Sequence, residues 1–357
     1  MNSVFEKDLE EIINSNEIDW NMLENSNIFI TGSTGLIGSI IVRAIQFRNK
    51  RFNSNINLCL LVRSKEKAIN LFGKDERINY IESNTEDFKP ESMNIDYIIH
   101  AASPTKSKFF VEQPVETIKT AVYGTTNMLE LARLSNVKSF IYLSSMEMYG
   151  TMTSDNVTEN DLGYINPLNV RSSYSEGKRM CELISYSYMS EYNVPVKIGR
   201  IAQTFGPGID VERENRVYKF FADKVLNGED IILKSSGTTI INYGYTTDVV
   251  KGLLCILLRG KVGEAYNIVC DKTNMTIKDS AEWLVETYGQ PGTKVVIDIP
   301  EYNAGFAPDN NMVLTNDKIK GLGWTPEHDV KYGYDHLLDY MKEEYKKKDD
   351  TKVKKLV

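Results

Sequence analysis

Hydrophobic positions along this chain follow two alternating rhythms. Short, mainly apolar runs occur at Ile28–Ile30, Asn57–Val62, Ile78–Ile81, Asp96–His100, Ser139–Ser144 and Val194–Ile201. Each is the length of a strand buried on both faces. Between several of them, apolar residues recur every three or four positions, as on a helix packed along one side. The longest such stretches are 114–134, with Ile118, Val122, Thr125, Leu129 and Ala132 on one stripe, and 173–191. Strands alternating with helices predict βαβ units, hence an α/β fold with a doubly wound parallel sheet.

The two ends of the chain follow the pattern less strictly. Phe5, Leu9, Ile12 and Ile13 predict a helical extension over residues 1–26, packed beside the sheet. Past residue 200 the elements shorten, with strands expected at 231–233, 240–243 and 265–269 and helices at 248–258, 277–288 and 331–345. The lysine-rich residues 346–357 read as a solvated, charged tail.

Composition narrows the picture. The chain has 357 residues, 41% hydrophobic and 25% charged, ordinary for a soluble globular protein. A net charge of −7 argues against a nucleic-acid-coating role. No apolar run approaches the ~18 residues of a membrane span and no signal peptide opens the chain, so a cytoplasmic protein without a membrane partner is expected. Cys59, Cys181, Cys255 and Cys270 lie far apart and read as buried, reduced thiols. With only His100, His328 and His336 available, no metal site is expected.

Candidate chemistry begins where the first strand ends. Gly32, Gly35 and Gly38 punctuate a strand-to-helix turn, with Ser33, Thr34, Leu36 and Ile37 between them. Such glycines let backbone approach a pyrophosphate, and the helix N-terminus offers free N–H groups and a positive dipole end. Glycines alone also punctuate ordinary turns, and the Gly-x-x-Gly-x-x-Gly spacing is not the dinucleotide fingerprint. A second signal lies in Tyr174-Ser-Glu-Gly-Lys178, whose tyrosine and lysine share one helix face. A free tyrosine, with a pKa of about 10, is a poor base at neutral pH. A neighbouring ammonium, together with a positively charged nicotinamide, favours its phenolate.

The glycine turn, Ser144-Ser145 at a strand end and Tyr174-x-x-x-Lys178 together resemble the extended short-chain dehydrogenase/reductase superfamily, over about Asn27 to Thr325. The resemblance implies a Rossmann-like dinucleotide-binding domain over 27–200. It also implies a smaller α/β substrate-binding region over 201–345, some of it returning to the first domain. Ser145 would then hydrogen-bond the substrate oxygen, Tyr174 would exchange its proton, and Lys178 would hold the nicotinamide ribose. Ala101, Ala102 and Ser103 would line the cofactor, and Thr105, Gln203 and Arg216 the substrate.

Ser144-Ser145-Met146-Glu147 and Arg171-x-x-Tyr174-x-Glu176-Gly177-Lys178-Arg179 are similar to UDP-glucuronate decarboxylases among the nucleotide-sugar epimerases and dehydratases. This implies a nucleotide-linked sugar substrate, oxidised transiently at C4. Epimerisation, dehydration and decarboxylation all stay open, as do a net dehydrogenase and a non-catalytic dinucleotide-binding member. Glu147 is the candidate acid/base. Side chains alternate along a strand, so Ser145 and Glu147 would face the same way if the chain stays extended there. Alternatively Glu147 pairs with Arg171 or Lys178.

The resemblance departs at three places. Gln203 replaces an asparagine, while Ile241 and the surroundings of Met312 lack two phosphate-binding arginines. Cofactor choice lies between NAD and NADP. Arg63 follows the second strand where an acid would favour NAD, which tilts the reading narrowly to a 2′-phosphate; stacking on adenine or plain solvation are its alternatives. Asn84, after the third strand, is placed to meet adenine. The helix pair 114–134 and 173–191 resembles the pair through which extended members dimerise, and Val115, Ile118, Val122 and Leu129 form a stripe wide enough for core plus partner. A homodimer is expected.

Overall fold

The computed structural model describes residues 2–105, 107–152, 154–272, 275–299 and 311–354, with side chains as far as residue 348. The N-terminal extension forms α1 (Ser3–Asn14), capped by the Asn2 side chain. A 3₁₀ turn at Trp20–Leu23 then leads into β1 (Asn27–Thr31). The first half continues through α2 (Leu36–Phe52), β2 (Asn57–Val62), α3 (Lys65–Phe72), β3 (Ile78–Glu82) and β4 (Tyr97–His100). Next come α4 (Ser107–Glu112), α5 (Pro114–Ser135), β5 (Ser139–Ser145), α6 (Ser172–Tyr192) and β6 (Val196–Ile201).

The remainder is built from shorter pieces: β7 (Gln203–Phe205), α7 (Val217–Asn227), β8 (Ile231–Leu233) and β9 (Tyr243–Tyr245). After these lie α8 (Thr246–Arg259), β10 (Ala265–Ile268), α9 (Ile277–Tyr288) and β11 (Val295–Ile297). Two helices follow residue 310, α10 (Asp317–Lys320) and α11 (Val330–Lys354).

Seven parallel strands make the central sheet, in the order β3-β2-β1-β4-β5-β6-β10. The sheet is doubly wound, and period-two alternation sorts its side chains between the two faces. Ile28 and Ile30 join the core beneath α1, α2 and α8, whereas Phe29 joins the core beneath α5 and α6 with Met128, Leu129 and Cys181. Helix α8 is buried from Thr246 through Leu258, which suits a helix sandwiched between the sheet and other helices. Strand order reverses between β1 and β4, and the loops leaving their carboxyl ends open a crevice there.

Four expectations change. The strand expected at 240–243 falls at Tyr243–Tyr245, because β9 is defined by its register on β7, Gln203 opposite Tyr243; Ile240 makes only an isolated bridge to Thr276. The expected solvated tail is helical to Lys354, with Lys347 paired to Glu343 and Glu344 one turn back and Lys348 to Glu212; residues 355–357 lie outside the described residues. Cys59 is only half-buried, while the other three thiols are buried. Helices α4, α7 and α10 lie where none is predicted, although Tyr218, Phe221, Ala222 and Val225 make a readable stripe on α7. Among the described residues, no helix is long and apolar enough to cross a membrane.

Candidate active site

The glycine turn sits at the β1/β4 reversal and is built from close backbone approaches. Gly32 has φ +67°, and a Cβ there would stand 2.6 Å from the Ala101 carbonyl carbon. Gly38 packs against the same turn. Gly35 caps α2 without any side-chain hydrogen bond, so the first-turn N–H groups stay free of a side-chain cap. The Ser33 hydroxyl is buried with no hydrogen-bond partner. An orphaned donor beside an open helix N-terminus and a glycine cradle fits a dinucleotide pyrophosphate. Thr34 is exposed, and Leu36 and Ile37 are half-buried on the first turn of α2.

Ala101, Ala102 and Ser103 follow β4 directly. The Ala102 N–H donates to Thr31 Oγ1 at 3.1 Å, and that hydroxyl lies 2.7 Å from His100 Nδ1. His100 Nε2 meets Thr125 Oγ1 at 3.1 Å. Burial, helped by the charge of Lys178, pushes His100 down to about 3, so it is a neutral brace between β1, β4 and α5. Arg63 stands exposed just past β2, and Asn84, also exposed, donates to Asp87 at 2.8 Å.

Ser145, Tyr174 and Lys178 meet at the carboxyl end of β5. Lys178 is buried, donates to the Leu143 carbonyl at 2.7 Å and lies 5.7 Å from the Tyr174 ring centroid. Burial pushes its pKa down to about 8. Tyr174 is driven well above its ordinary value, first by burial and then by the charge of Glu147; a hydrogen bond from Ser145 and the charges of Arg216 and Arg171 oppose this. The protein alone therefore does not favour the phenolate, and the charges that lower it most are those of Arg216 and Arg171, not the expected Lys178. Phe110 of α4 stacks on Tyr174 at 4.3 Å between centroids, which nothing in the sequence pattern announces.

Glu147 is not on the strand. β5 stops at Ser145, whose hydroxyl accepts the Glu147 N–H at 3.3 Å, and Met146–Tyr149 form a 3₁₀ turn. The alternation argument that aimed Ser145 and Glu147 together therefore fails. Glu147 instead makes a two-point pair with Arg171, at 3.1 and 3.4 Å, and accepts a hydrogen bond from Ser175 Oγ at 3.3 Å. Arg216 caps α7 and is clasped by Glu214 through its Nε at 3.0 Å and its Nη2 at 2.5 Å. Burial alone would raise Glu214, but Arg216 holds it at about 2.

The remaining candidates lie apart from this centre or at its rim. Thr105 is exposed beyond Pro104, and Gln203 is exposed on β7 with its N–H on the Asn242 carbonyl at 3.0 Å. Ile241 and Met312 are packed in the core, so neither position offers a polar contact in place of the missing arginines. Sequence reading also missed a buried support: Ser144 donates to Glu182, which pairs with Arg200 at 2.7 Å, and Arg200 donates to the Tyr149 hydroxyl at 2.9 Å. The available signal was an arginine inside a strand of mainly apolar residues, since a buried guanidinium calls for a partner. Elsewhere Glu11, Asp248, Glu327 and His328 converge as a metal's ligands would, but the Lys251 ammonium lies among them, 2.9 to 3.1 Å from the three carboxylates.

Comparison with known proteins agrees with this geometry. A profile of the NAD dependent epimerase/dehydratase family matches residues 28–269. UDP-glucuronic acid decarboxylase 6 of Arabidopsis thaliana is 29% identical over 324 residues, covering 90% of this chain and 89% of that protein. The crystal structure of UDP-glucose 4-epimerase from Thermotoga maritima, solved with UDP-glucose, superposes with a TM-score of 0.74 at 22% identity, covering 89% of this chain and 99% of the other. A dTDP-glucose 4,6-dehydratase from Streptomyces venezuelae, solved with NAD, gives 0.73 at 21% identity, covering 89% and 97%. With the glycine cradle, the switch-point crevice and a profile match over most of its length, the chain belongs to the NAD dependent epimerase/dehydratase family.

Proposed function

We propose that this chain acts on a nucleotide-linked uronic sugar, oxidising it transiently at C4 and releasing the C5 carboxyl as carbon dioxide. The observation that carries the reading is the meeting of Ser145, Tyr174 and buried Lys178 at the end of β5, with Glu147 and Arg171 beside them. Residues 27–200 hold the dinucleotide and 201–345 mainly the sugar nucleotide, with Thr105, Gln203 and Arg216 facing it.

The glycine turn at Gly32, Gly35 and Gly38 would hold a bound NAD(P), which would supply reversible hydride acceptance. Ser145 holds the C4 oxygen by hydrogen bonding, and Tyr174 takes the C4 hydroxyl proton. Burial makes Tyr174 a weak base until added positive charge near Lys178 lowers its pKa. With a carbonyl at C4, the C5–carboxyl bond can break, its electron pair moving toward the C4 oxygen. Glu147 is assigned the proton that C5 then takes up, as a displaced side chain rather than as it stands paired to Arg171. Met146 stands where a dehydratase carries a second acid, which favours decarboxylation.

The test is a panel of nucleotide sugars followed by mass spectrometry in deuterated water. Loss of carbon dioxide with one deuterium gained supports the proposal, and Glu147→Gln should abolish product while cofactor reduction persists. Normal product from that variant would leave Glu147 structural. A second reading, a dinucleotide-binding protein without turnover, draws on the apolar burial of Ile241 and Met312. It predicts no mass change with any sugar. A net dehydrogenase would leave cofactor changed in proportion to product.

A further inference from the structure

Arg171 opens α6 and lies three residues, one helical turn, before Tyr174. Its guanidinium grips Glu147 at 3.1 and 3.4 Å, and among the described residues it bonds no other side chain. The two side chains are 22% and 33% exposed, whereas the supporting Arg200–Glu182 pair is 8% and 10% exposed. This contrast matters energetically. A partly solvated pair is held more weakly than a buried one, whose separation is far more costly. The Arg171–Glu147 pair is therefore exchangeable, and the flat two-point geometry it presents is the one a guanidinium offers to any carboxylate.

Its location gives the exchange a purpose. Glu147 follows Ser145 by two residues and takes its place through the Ser145 hydroxyl, and both members of the pair act on Tyr174 with opposite sign. Arg216, the other guanidinium acting on Tyr174, is likewise held by an internal carboxylate, Glu214. The site thus carries its own carboxylate wherever it offers an arginine.

We infer that Arg171 is the docking cation for a carboxylate borne by the sugar, and that Glu147 occupies this place until the incoming carboxylate displaces it. The inference rests on the nucleotide-sugar reading above and adds to it the device that selects uronic over neutral sugars. It also couples binding to chemistry. Seating the substrate's carboxylate on Arg171 releases Glu147 from its partner, so the acid/base becomes available only when a carboxylate is present.

The experiment is calorimetric binding of UDP-glucuronate and UDP-glucose, which differ in whether C6 is a carboxylate or an alcohol. Wild-type protein should prefer UDP-glucuronate by about tenfold or more. Arg171→Gln should lose that preference while keeping its affinity for UDP-glucose, and Arg171→Lys should recover part of it. Glu147→Gln, which removes the competing carboxylate, should bind UDP-glucuronate several-fold tighter with UDP-glucose unchanged. Retained preference in Arg171→Gln overturns the inference and leaves the nucleotide-sugar reading standing. Should that variant not fold, unchanged UDP-glucuronate affinity in Glu147→Gln overturns it equally. Failure of wild type to bind either sugar or UDP overturns both.

Discussion

Gly38 lies so close to Gly32 that a Cβ on Gly38 would stand 2.3 Å from the Gly32 carbonyl oxygen. The obstacle is backbone, which cannot swing aside as a side chain end can. Gly35 differs: its φ is −81° and a Cβ there would meet only the same oxygen, at 3.3 Å. Gly38→Ala should therefore destabilise the protein by about 1–3 kcal/mol and weaken dinucleotide binding, while Gly35→Ala should cost clearly less. Thermal melts with cofactor titration check this. Equal behaviour of the two variants would contradict the cradle.

Lys178 sets a stability dependence on pH. Its folded pKa, about 8, is below its ordinary value because burial disfavours the charge, and buried Lys197 is lowered to about 8 likewise. Between pH 8 and about 10 each of these lysines is more protonated unfolded than folded, so each contributes stability that rises with pH, against the cysteines raised by burial, whose contribution falls. Each lysine can contribute up to about 1.4 kcal/mol per pH unit there. Urea midpoints from pH 7 to 10 should show wild type gaining stability relative to Lys178→Met as pH rises, and that variant should lose turnover at least about a hundredfold. A wild-type midpoint that does not gain on the variant's over this range would refute the assignment.

The Lys251 ammonium ties α1 to α8 and to the start of α11. It bonds Glu11, Asp248 and Glu327, and Glu11 in turn meets His328 at 2.8 Å. Lys251→Met should cost about 3–5 kcal/mol, since it leaves the carboxylates uncompensated. Burial alone would raise Glu11, but His328 and Lys251 hold it at about 2. Its contribution is complete above the ordinary carboxylate pKa and is lost as pH falls toward 2. His328 is raised, so its contribution is complete below its ordinary pKa and is lost as pH rises through the folded value. Acid melts of Glu11→Gln against wild type would show a shallower loss if this is right.

Arg63, exposed just past β2, is the residue on which an NADP preference would rest. Wild type should bind NADP more tightly than NAD, and Arg63→Asp should reverse the order. Fluorescence titration with both cofactors decides it; tighter NAD binding by wild type would rule out the NADP preference.

The outer face of the α5/α6 pair exposes Val115, Ile118 and Tyr123 on one helix and Met180, Leu183 and Tyr186 on the other. Exposed apolar side chains on two packed helices suit a second copy of the chain. Light scattering should give a dimer at micromolar concentration, and Ile118→Glu with Leu183→Lys should give a folded monomer. A monomeric wild type would remove the proposal.

How far the sequence reaches depends on whether the physics is local. Buried strands, the glycine turn and the shared helix face of Tyr174 and Lys178 follow from periodicity and backbone sterics, and these are properties of neighbouring residues. Phe5, Leu9, Ile12 and Ile13 already state which side of α1 is buried, and all four are. Only the tertiary structure decided who meets whom. The register of β9 on β7 moved a strand by three residues, and the end of β5 at Ser145 turned Glu147 away from its expected face. The pairing of Glu147 with Arg171, the stacking of Phe110 on Tyr174 and the gathering of three acids round Lys251 join segments far apart in the chain. Hydrophobic patterning tells which face of an element is hidden, not which element hides it, and a charge in a sequence carries no label for its partner.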